Sequence, residues 1–298
     1  MNADGADDAD LRRSEQRFLL ATDGAQMHTD GKRVVFFLCV LMLGGCGQKS
    51  TELFNGKDLS GWYTYTTATK GENPGIFVVE DGAIRINGGD GKRAYYGGIY
   101  TNESYENYRL TVEYKFAGPT HGDRVKAARD SGLLLHCNGK PQGATWEGSI
   151  EANVMEGDTG SFWLVGNRKG SDGVDDEGRP IRLGITVEAE KRANGEYYYK
   201  PAGAQVRLEG KDKFCNPVYK ETAATDTVGY RGKNDWDSGP GKWTKVECVC
   251  RGDVIEVYVN GRLANKATNC SLTKGRIGLQ VEAADVWYRN VRLMPLEK

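Results

Sequence analysis

Alternation of apolar and polar side chains with a period of two residues constrains the fold of this chain more than any other feature. Residues 108–116 place an apolar or aromatic side chain at every second position, which is typical of a strand with one buried face. Residues 76–86 predict two short strands around Asp81 and Gly82, a turn dipeptide that favours a hairpin. Helical periodicity of useful length is absent from the sequence, so the pattern predicts an all-β chain.

The C-terminal third continues the same pattern. Residues 243–259 predict two long strands joined by a turn at 251–253, and residues 276–293 predict two more. Many short strands with turn signals at this spacing are typical of a jelly-roll β-sandwich of two antiparallel sheets. Two polar stretches, 157–182 and 201–241, are predicted as long loops, and loops of this length in a compact domain tend to be functional.

The N-terminal region has a different character. Ten consecutive apolar residues, 34–43, follow a basic pair and precede Gly44, Gly45 and Cys46. The run has the length of a signal-peptide core and roughly half the length of a membrane-spanning helix. The stretch that ends at Cys46 resembles the lipobox of bacterial lipoproteins, in which the cysteine is lipidated. We therefore expect an exported protein that is anchored through Cys46 to the bacterial cell envelope, at the outer membrane or the periplasmic face.

This interpretation divides the chain into three parts. Residues 1–26 are polar, and we expect them to be a non-native extension ahead of the initiator Met27 or a disordered segment. Residues 27–45 are the predicted signal peptide, and residues 46–298 form one predicted domain. With 40 basic and 41 acidic residues the chain is nearly neutral. This balance argues against nucleic acid as a partner and leaves the lipid as the expected attachment to a membrane.

Two neighbouring predicted strands carry polar side chains within apolar surroundings. In the first strand Asp130 and His136 are expected to share a face, and in the second Glu151 and Asn153 are expected to line the concave outer surface. A bulge after Asn153 would return Glu156 to the face of Glu151. The resulting spacing, Glu-x-Asn-x-x-Glu, resembles the catalytic strand of laminarinase-like glycosidases. In retaining hydrolysis of that kind two carboxyl groups lie about 5–5.5 Å apart.

Residues 53–62, Leu-Phe-Asn-Gly-Lys-Asp-Leu-Ser-Gly-Trp, are similar to the opening motif of the 3-keto-disaccharide hydrolase family. An Asp-Ser-Gly motif at 130–132, the strand around Glu151 and the final motif at 278–291 follow in the same order as in that family. The resemblance covers residues 51–296. It implies a concanavalin A-like jelly roll and activity on glycosides that are oxidised at C3 of the sugar.

The chain departs from the family pattern at three places. Asn153 replaces a glutamine, and Val281-Glu282 replaces a His-Gly pair that often follows the glutamine of the final motif. Ser161 occupies the position of an aspartate that is often found in the loop after the strand of Glu151. Contacts with the substrate are therefore expected to differ from those of the family at these positions.

The implied substrate suggests a mechanism. A ketone at C3 acidifies the proton on C2, so a base could remove that proton and the oxygen on C1 could leave by elimination, after which water adds back. Such a route needs a base, an acid and a donor for the developing enolate oxygen. We expect Glu151 to be the base or the acid, His136 its counterpart, and Asn153 or Arg129 the donor. Direct hydrolysis by Glu151 and Glu156 is the alternative route.

The predicted substrate-binding residues are Arg129, Asp130, Ser131, Trp146, Asn153, Trp163, Gln280 and Glu282. No cofactor is expected, and the spacing of His136, Asp130 and Glu151 does not require a metal. The alternatives to a hydrolase of 3-keto-glycosides are an ordinary laminarinase-like glycosidase, a non-catalytic carbohydrate-binding module and a periplasmic scaffold protein with a vestigial site. Paired carboxylates beside an imidazole favour an enzyme, because a binding module would rely on exposed aromatic rings and neutral amides.

Overall fold

The computed structural model describes residues 49–139, 145–166, 175, 177–210, 213–214, 226–231 and 235–297. The predicted signal peptide and the predicted lipidation site Cys46 lie outside these residues. A short 3₁₀ helix, Gly122–Arg124, is the only helical element within the described part of the chain. None of these residues forms a helix that is long and apolar enough to cross a membrane.

Among the described residues, the larger of two sheets contains eleven strands. Numbered along the whole chain, its strands are β1 (Thr51–Glu52), β3 (Phe77–Glu80), β4 (Ala83–Ile86), β7 (Tyr108–Thr120), β11 (Gly184–Lys191), β12 (Tyr197–Tyr199), β13 (Ala204–Glu209), β15 (Thr244–Arg251), β16 (Val254–Val259), β17 (Arg262–Thr268) and β19 (Ala284–Pro295). Their order across the sheet is β12-β11-β17-β16-β15-β7-β19-β4-β3, with β13 also paired to β11 and β1 to β19.

The smaller sheet contains eight strands within the part of the chain that the structure describes. They are β2 (Trp62–Thr66), β5 (Tyr96–Thr101), β6 (Tyr105–Glu106), β8 (Asp130–Asn138), β9 (Gly148–Met155), β10 (Phe162–Val165), β14 (Lys213–Phe214) and β18 (Lys274–Glu282). Their order is β14-β10-β9-β8-β18-β5-β2, with β6 also paired to β18.

The chain crosses repeatedly between the two sheets. For example, β3 and β4 of the larger sheet follow β2 and precede β5 of the smaller one, and β18 leads from the smaller sheet to β19 of the larger. All strand pairs are antiparallel. Strands that pass in this way between two packed antiparallel sheets are the arrangement of a jelly roll. The predicted all-β jelly-roll sandwich is therefore confirmed.

The core lies between the sheets, because alternate residues of each strand point inwards. The smaller sheet contributes Leu133, Ile150 and Leu279, and the larger sheet contributes Val112 and Tyr288, all of them buried. Burial of an apolar side chain of this size contributes about 1.5–3 kcal/mol. The intervening residues of the smaller sheet point to its outer face, which we call the site face.

The hairpin predicted at 76–86 is confirmed, since β3 and β4 pair on either side of Asp81 and Gly82. Both turn residues have positive φ angles, 51° and 71°. A two-residue turn that follows the twist of the strands requires such angles, and glycine adopts them without steric cost.

The prediction of long loops at 157–182 and 201–241 is wrong in part. Strand β10 lies within the first stretch, and β13 and β14 lie within the second. In β10 the side chains of Phe162 and Leu164 point into the core while Trp163 points outwards. This short alternation forms a strand despite the polar composition that surrounds it.

Candidate active site

The residues of the site face lie in rows that cross the smaller sheet. One row, from β10 to β2, consists of directly opposed residues: Trp163, Glu151, Leu134, Gly278, Tyr100 and Tyr63. Opposed residues of an antiparallel pair point to the same side of the sheet. Because Ile150 and Ala152 on either side of Glu151 belong to the core, the side chain of Glu151 lies on the site face.

Glu151 lies flat against the neighbouring strand. A Cβ atom on Gly132 of β8 would be 2.2 Å from Oε1 of Glu151, so only glycine leaves room for the carboxyl group. This contact gives the Asp-Ser-Gly motif a physical role. The other carboxyl oxygen, Oε2, is 3.5 Å from Nε2 of Gln280 on β18. Glu151 is 5% exposed, and among the described residues no lysine or arginine is paired with it.

Three further carboxylates surround Glu151, and with it they form the acidic cluster. Asp130 on β8 and Glu282 on β18 are directly opposed in the sheet, and Asp158 is buried in the turn that follows β9. Burial, reinforced by the negative charges of Asp130, Glu282 and Asp158, raises the pKa of Glu151 well above its ordinary value. Such an environment favours the protonated form of a carboxyl group.

The guanidinium group of Arg124 lies beside the acidic cluster. Its Nη2 is 3.2 Å from Oδ2 of Asp130, and its Nη1 is 3.9 Å from Oε1 of Glu282. Burial and the Glu282 carboxylate nevertheless raise the pKa of Asp130 well above its ordinary value. Nε of Arg124 is buried and has no hydrogen-bond partner in the described part of the chain. No sequence motif marks Arg124, because its place depends on how the chain folds after β7.

Asn153 and Ser161 hold the turn that carries Asp158. Nδ2 of Asn153 donates a hydrogen bond of 3.1 Å to Oδ2 of Asp158, and Oγ of Ser161 donates one to Oδ1. The loop that contains Ser161 thus also holds a buried aspartate, Asp158, three residues earlier; the replacement of a family aspartate by Ser161 stays a prediction. Asn153 lies on the site face as expected, but its amide group is engaged with Asp158.

The prediction that His136 shares a face with Asp130 is wrong. Strand β8 has a bulge at this point, and His136 adopts a φ of 54°, so its ring turns into the core. The ring packs edge to face on Tyr108 with centroids 5.5 Å apart, and Nδ1 is 3.0 Å from the carbonyl oxygen of Leu272. Burial lowers the pKa of His136 to about 4, which keeps the ring neutral. The structure does not bring His136 to Glu151.

The bulge predicted after Asn153 does not form, because β8 and β9 stay in register to the end of β9. Glu156 follows the strand, where its Oε1 is 2.6 Å from Nη1 of Arg129. Its Oε2 accepts hydrogen bonds from the backbone N–H groups of Arg129 and Gly229. Through these contacts the side chains of Glu156 and Arg129 stabilise the turn. The contacts do not bring either side chain to the carboxyl group of Glu151.

Ser131 was expected to bind substrate, but its side chain points into the core. Its Oγ is 2.6 Å from the carbonyl oxygen of Gln280 and 2.6 Å from the hydroxyl of Tyr288. Ser131 therefore joins the smaller sheet to the larger one. The alternation along β8 that brings Asp130 and Gly132 to the site face turns Ser131 away from it.

Aromatic rings occupy the half of the site face on the side of β5 and β2. We call this set, Tyr63, Tyr65, Tyr96, Tyr100 and Trp146, the aromatic half. Tyr63 stacks on Tyr100 with centroids 5.4 Å apart, and Trp146 meets Tyr96 edge to face at 6.4 Å. Trp163, on the opposite side of Glu151, is 37% exposed. Aromatic rings offer large apolar faces at low cost in conformational entropy, so the surface suits the C–H faces of sugar rings.

A metal site formed by His136, Asp130 and Glu151 would require the three side chains to lie close together on one face of the sheet. His136 lies in the core and the two carboxyl groups lie on the site face, so this set does not form. Among the described residues no group of three or more His, Cys, Asp or Glu side chains is arranged to hold a metal ion. That the protein needs no cofactor stays a prediction from the sequence.

Comparison with known proteins gives a family. A family model described as a 3-keto-alpha-glucoside-1,2-lyase-like domain matches residues 49–294. Among curated proteins no sequence matches the chain significantly. A protein of Parabacteroides distasonis that has been proposed to be a glycosyl hydrolase is 18% identical, covering 83% of this chain and 94% of that chain with a TM-score of 0.46.

Two other solved structures are similar at a lower level. A β-glucanase from Bacillus licheniformis is 12% identical, covering 85% of this chain and 99% of that chain with a TM-score of 0.41. The carbohydrate-binding module CBM66 from Bacillus subtilis is 13% identical, covering 78% of this chain and 94% of that chain with a TM-score of 0.41. Because the family model spans almost the whole described part, the chain belongs to the family of 3-keto-alpha-glucoside-1,2-lyase-like domains.

Proposed function

We propose that the protein cleaves 3-keto-glycosides, and that it does so by elimination followed by addition of water. One observation carries the proposal: the carboxyl group of Glu151 is buried on a face that is rich in carboxylates, and this environment raises its pKa. A site of this kind holds an acid and a base at the same pH, because the environment separates the pKa values of neighbouring carboxyl groups. The family to which the chain belongs supports the choice of a substrate oxidised at C3.

The proposed reaction begins at C2 of the oxidised sugar. A base takes the C2 proton, and the electron pair of the C–H bond moves towards the C3 ketone to give an enolate. The enolate then forms a C1–C2 double bond while the bond between C1 and the leaving oxygen breaks. Glu151 donates its proton to that oxygen, so the leaving group departs as an alcohol. Addition of water across the double bond gives the net result of hydrolysis.

The base is assigned to Glu282, which is directly opposed to Asp130 and is the more accessible of the two, with 21% of its side-chain surface exposed against 15%. Burial raises the pKa of Asp130 as it does that of Glu151, so both of these carboxyl groups favour the protonated form. Arg124 contacts both Asp130 and Glu282 and has a buried Nε–H without a partner among the described residues. Such a cation is suited to stabilise the negative charge of the enolate oxygen. In this assignment Glu282 and Arg124 take the roles predicted for His136 and Arg129. The ring of His136 bonds to the carbonyl of Leu272 in the core, and the guanidinium group of Arg129 bonds to Glu156.

The proposal is tested by comparing a 3-keto-glucoside with its unoxidised parent. We expect release of the leaving group from the keto compound only, because the parent has no acidic proton at C2. With deuterium at C2, we expect either exchange with solvent or a slowed reaction. Equal rates on the two compounds would contradict the proposal and favour ordinary glycosidase chemistry.

A non-catalytic carbohydrate-binding module is the second candidate, and the exposure of Trp163 favours it. The two candidates differ in turnover rather than in binding. A protein that binds the keto-glycoside, with an affinity that Trp163→Ala weakens, but never releases the leaving group would fit the second candidate.

We also propose export and lipid anchoring through Cys46, which rest on the sequence between residues 27 and 46. Cys46→Ser should move the protein from the membrane fraction to a soluble or unprocessed form, because the lipid would have no attachment site. Fractionation of cells that express each form checks this expectation. Unchanged membrane association of the variant would count against lipidation.

A further inference from the structure

The two sides of Glu151 differ in how they are covered, and this difference bears on the direction in which a substrate lies. Trp146 precedes β9, yet its ring meets Tyr96 of β5, which is three strands away across the sheet. Three steps between strands amount to about 14 Å. The side chain of Trp146 therefore reaches across the site face, and it packs on the cluster that contains Leu134 and Tyr100.

The covered side contains polar atoms that the protein leaves unsatisfied. Nε1 of Trp146 and Oε1 of Gln280 are both buried, and neither has a hydrogen-bond partner among the described residues. Gln280 is 1% exposed, and its amide nitrogen already faces Glu151. An indole N–H is a donor and an amide oxygen is an acceptor. A ligand rich in hydroxyl groups can satisfy both, because a hydroxyl both donates and accepts.

The floor of the covered side is flat. Cβ atoms on Gly98 and Gly278 would lie 2.9 and 2.8 Å from the ring of Tyr100, so the glycines allow this ring to lie against the sheet. The hydroxyl of Tyr63, which stacks on Tyr100, donates a hydrogen bond to Glu147. The rings of this side are therefore fixed in place before a ligand binds.

The open side is different. Trp163 is directly opposed to Glu151 on the strand β10, away from the aromatic half, and it is 37% exposed. A ring that stacks on Trp163 would therefore meet solvent on its other face. Glu282, the proposed base, lies on β18 opposite Asp130 of β8, on the covered side of Glu151.

From this arrangement we infer that the oxidised sugar occupies the covered side, with its hydroxyl groups bonded to Trp146 and Gln280, and that the leaving group extends over Trp163. The inference rests on the proposed function. The C2 proton must face Glu282 while the leaving oxygen faces Glu151, so the line from C2 to that oxygen points towards β10. The leaving group then continues in the same direction, onto Trp163.

Binding to full-length protein that carries Glu151→Gln tests the orientation without requiring turnover. The probes are two 3-keto-glucosides, one with a methyl and one with a phenyl leaving group, and the readout is the Kd of each by calorimetry. Trp163→Ala should reduce the preference for the phenyl compound roughly three- to tenfold, the range expected for an aromatic contact. Trp146→Phe keeps a ring but removes the N–H. It should raise the Kd of both compounds roughly three- to tenfold without changing the preference for the phenyl compound.

The opposite pattern, a loss of preference in Trp146→Phe and an equal loss for both compounds in Trp163→Ala, would overturn the inference. An unchanged preference in Trp163→Ala would also overturn it, and this variant is suited to the test because the side chain is exposed. If both compounds bind as expected but the wild-type protein releases no leaving group, the proposed reaction fails while the orientation stands. If neither compound binds, both fail.

Discussion

Three glutamates in and beside β9 are all buried, yet they stand in opposite electrostatic surroundings. Glu147 precedes the strand and pairs with Arg276, whose Nη2 is 3.0 Å from Oε2. Glu156 follows the strand and pairs with Arg129 at 2.6 Å. Glu151, in the middle, faces three carboxylates and the amide of Gln280.

The difference shows that burial alone does not identify a reactive carboxyl group. At both ends of β9 an arginine compensates the buried charge, so the carboxylate can serve as a fixed support. In the middle, no arginine or lysine among the described residues pairs with Glu151, and burial together with the neighbouring carboxylates raises its pKa instead. The same strand thus separates two glutamates that hold the structure from one that is available for proton transfer.

Replacing Glu151 with glutamine should produce the largest effect and sharpens this comparison. The substitution preserves size but removes the transferable proton, so turnover of the 3-keto-glycoside should fall by a factor of about 10²–10⁴. The melting temperature should change little, because the neutral amide resembles the protonated acid. Kinetics and thermal melting of one preparation check both expectations. Retained turnover would end the case for Glu151 as the acid.

Replacing Glu156 with glutamine should have the reverse effect. It leaves the partly buried Arg129 without its counter-charge, which is expected to lower the free energy of unfolding by about 1–3 kcal/mol. Turnover per folded molecule should hold, and urea unfolding together with kinetics checks this. Glu147→Gln, which breaks the pair with Arg276, is the matched variant for stability. If Glu156→Gln is as stable as the wild type but loses turnover, Glu156 is not merely a structural support and the contrast with Glu151 is wrong.

The pH dependence of stability should distinguish Glu151 in another way. Burial and neighbouring carboxylates raise the folded-state pKa of Glu151 above the ordinary value of 4.5. The resulting stabilisation is complete below pH 4.5 and is lost as the pH rises towards the folded-state pKa. For one proton the slope is at most about 1.4 kcal/mol per pH unit. Unfolding of wild type and Glu151→Gln between about pH 5 and pH 8 should show a smaller decline for the variant.

Gly132→Ala should give the smallest of these effects, because it moves Glu151 without removing it. The new Cβ atom would overlap with Oε1 of Glu151, so the carboxyl group must shift. We expect a loss of stability of about 1–3 kcal/mol and a fall in turnover smaller than that of Glu151→Gln. Turnover below that of Glu151→Gln would indicate that Gly132 matters beyond its contact with Glu151.

The sequence predicts the fold well because strands depend on local alternation. The strand of Tyr108, the hairpin at Asp81 and Gly82, and the placement of Glu151 all follow from the positions of apolar side chains a few residues away. This alternation can be recognised without knowing which strands pair, since each strand must bury one face.

The candidate site is predicted less completely, because its geometry depends on single irregularities and on distant segments. One bulge in β8 turns the side chain of His136 away from the site face, and the alternation of residue types along this strand does not predict that bulge. Glu156 falls outside the site because the strand ends one residue earlier, and a pattern of residue types does not fix such an end. Arg124 reaches Asp130 from a 3₁₀ helix that no motif marks.

The contacts of Glu156 have a consequence for how this region can vary among relatives. Two of the groups that bond to it are backbone N–H groups, those of Arg129 and Gly229. The backbone N–H of Val228 likewise bonds to the carbonyl of Lys126. Asp226 bonds to this region through its side chain, because its Oδ1 accepts a hydrogen bond of 2.9 Å from the backbone N–H of Ala128. Asp226 through its carboxylate and Gly229 through its φ of 76° therefore restrict the residue type, whereas the backbone bond of Val228 leaves its side chain open to evolutionary change beside a fixed acidic cluster.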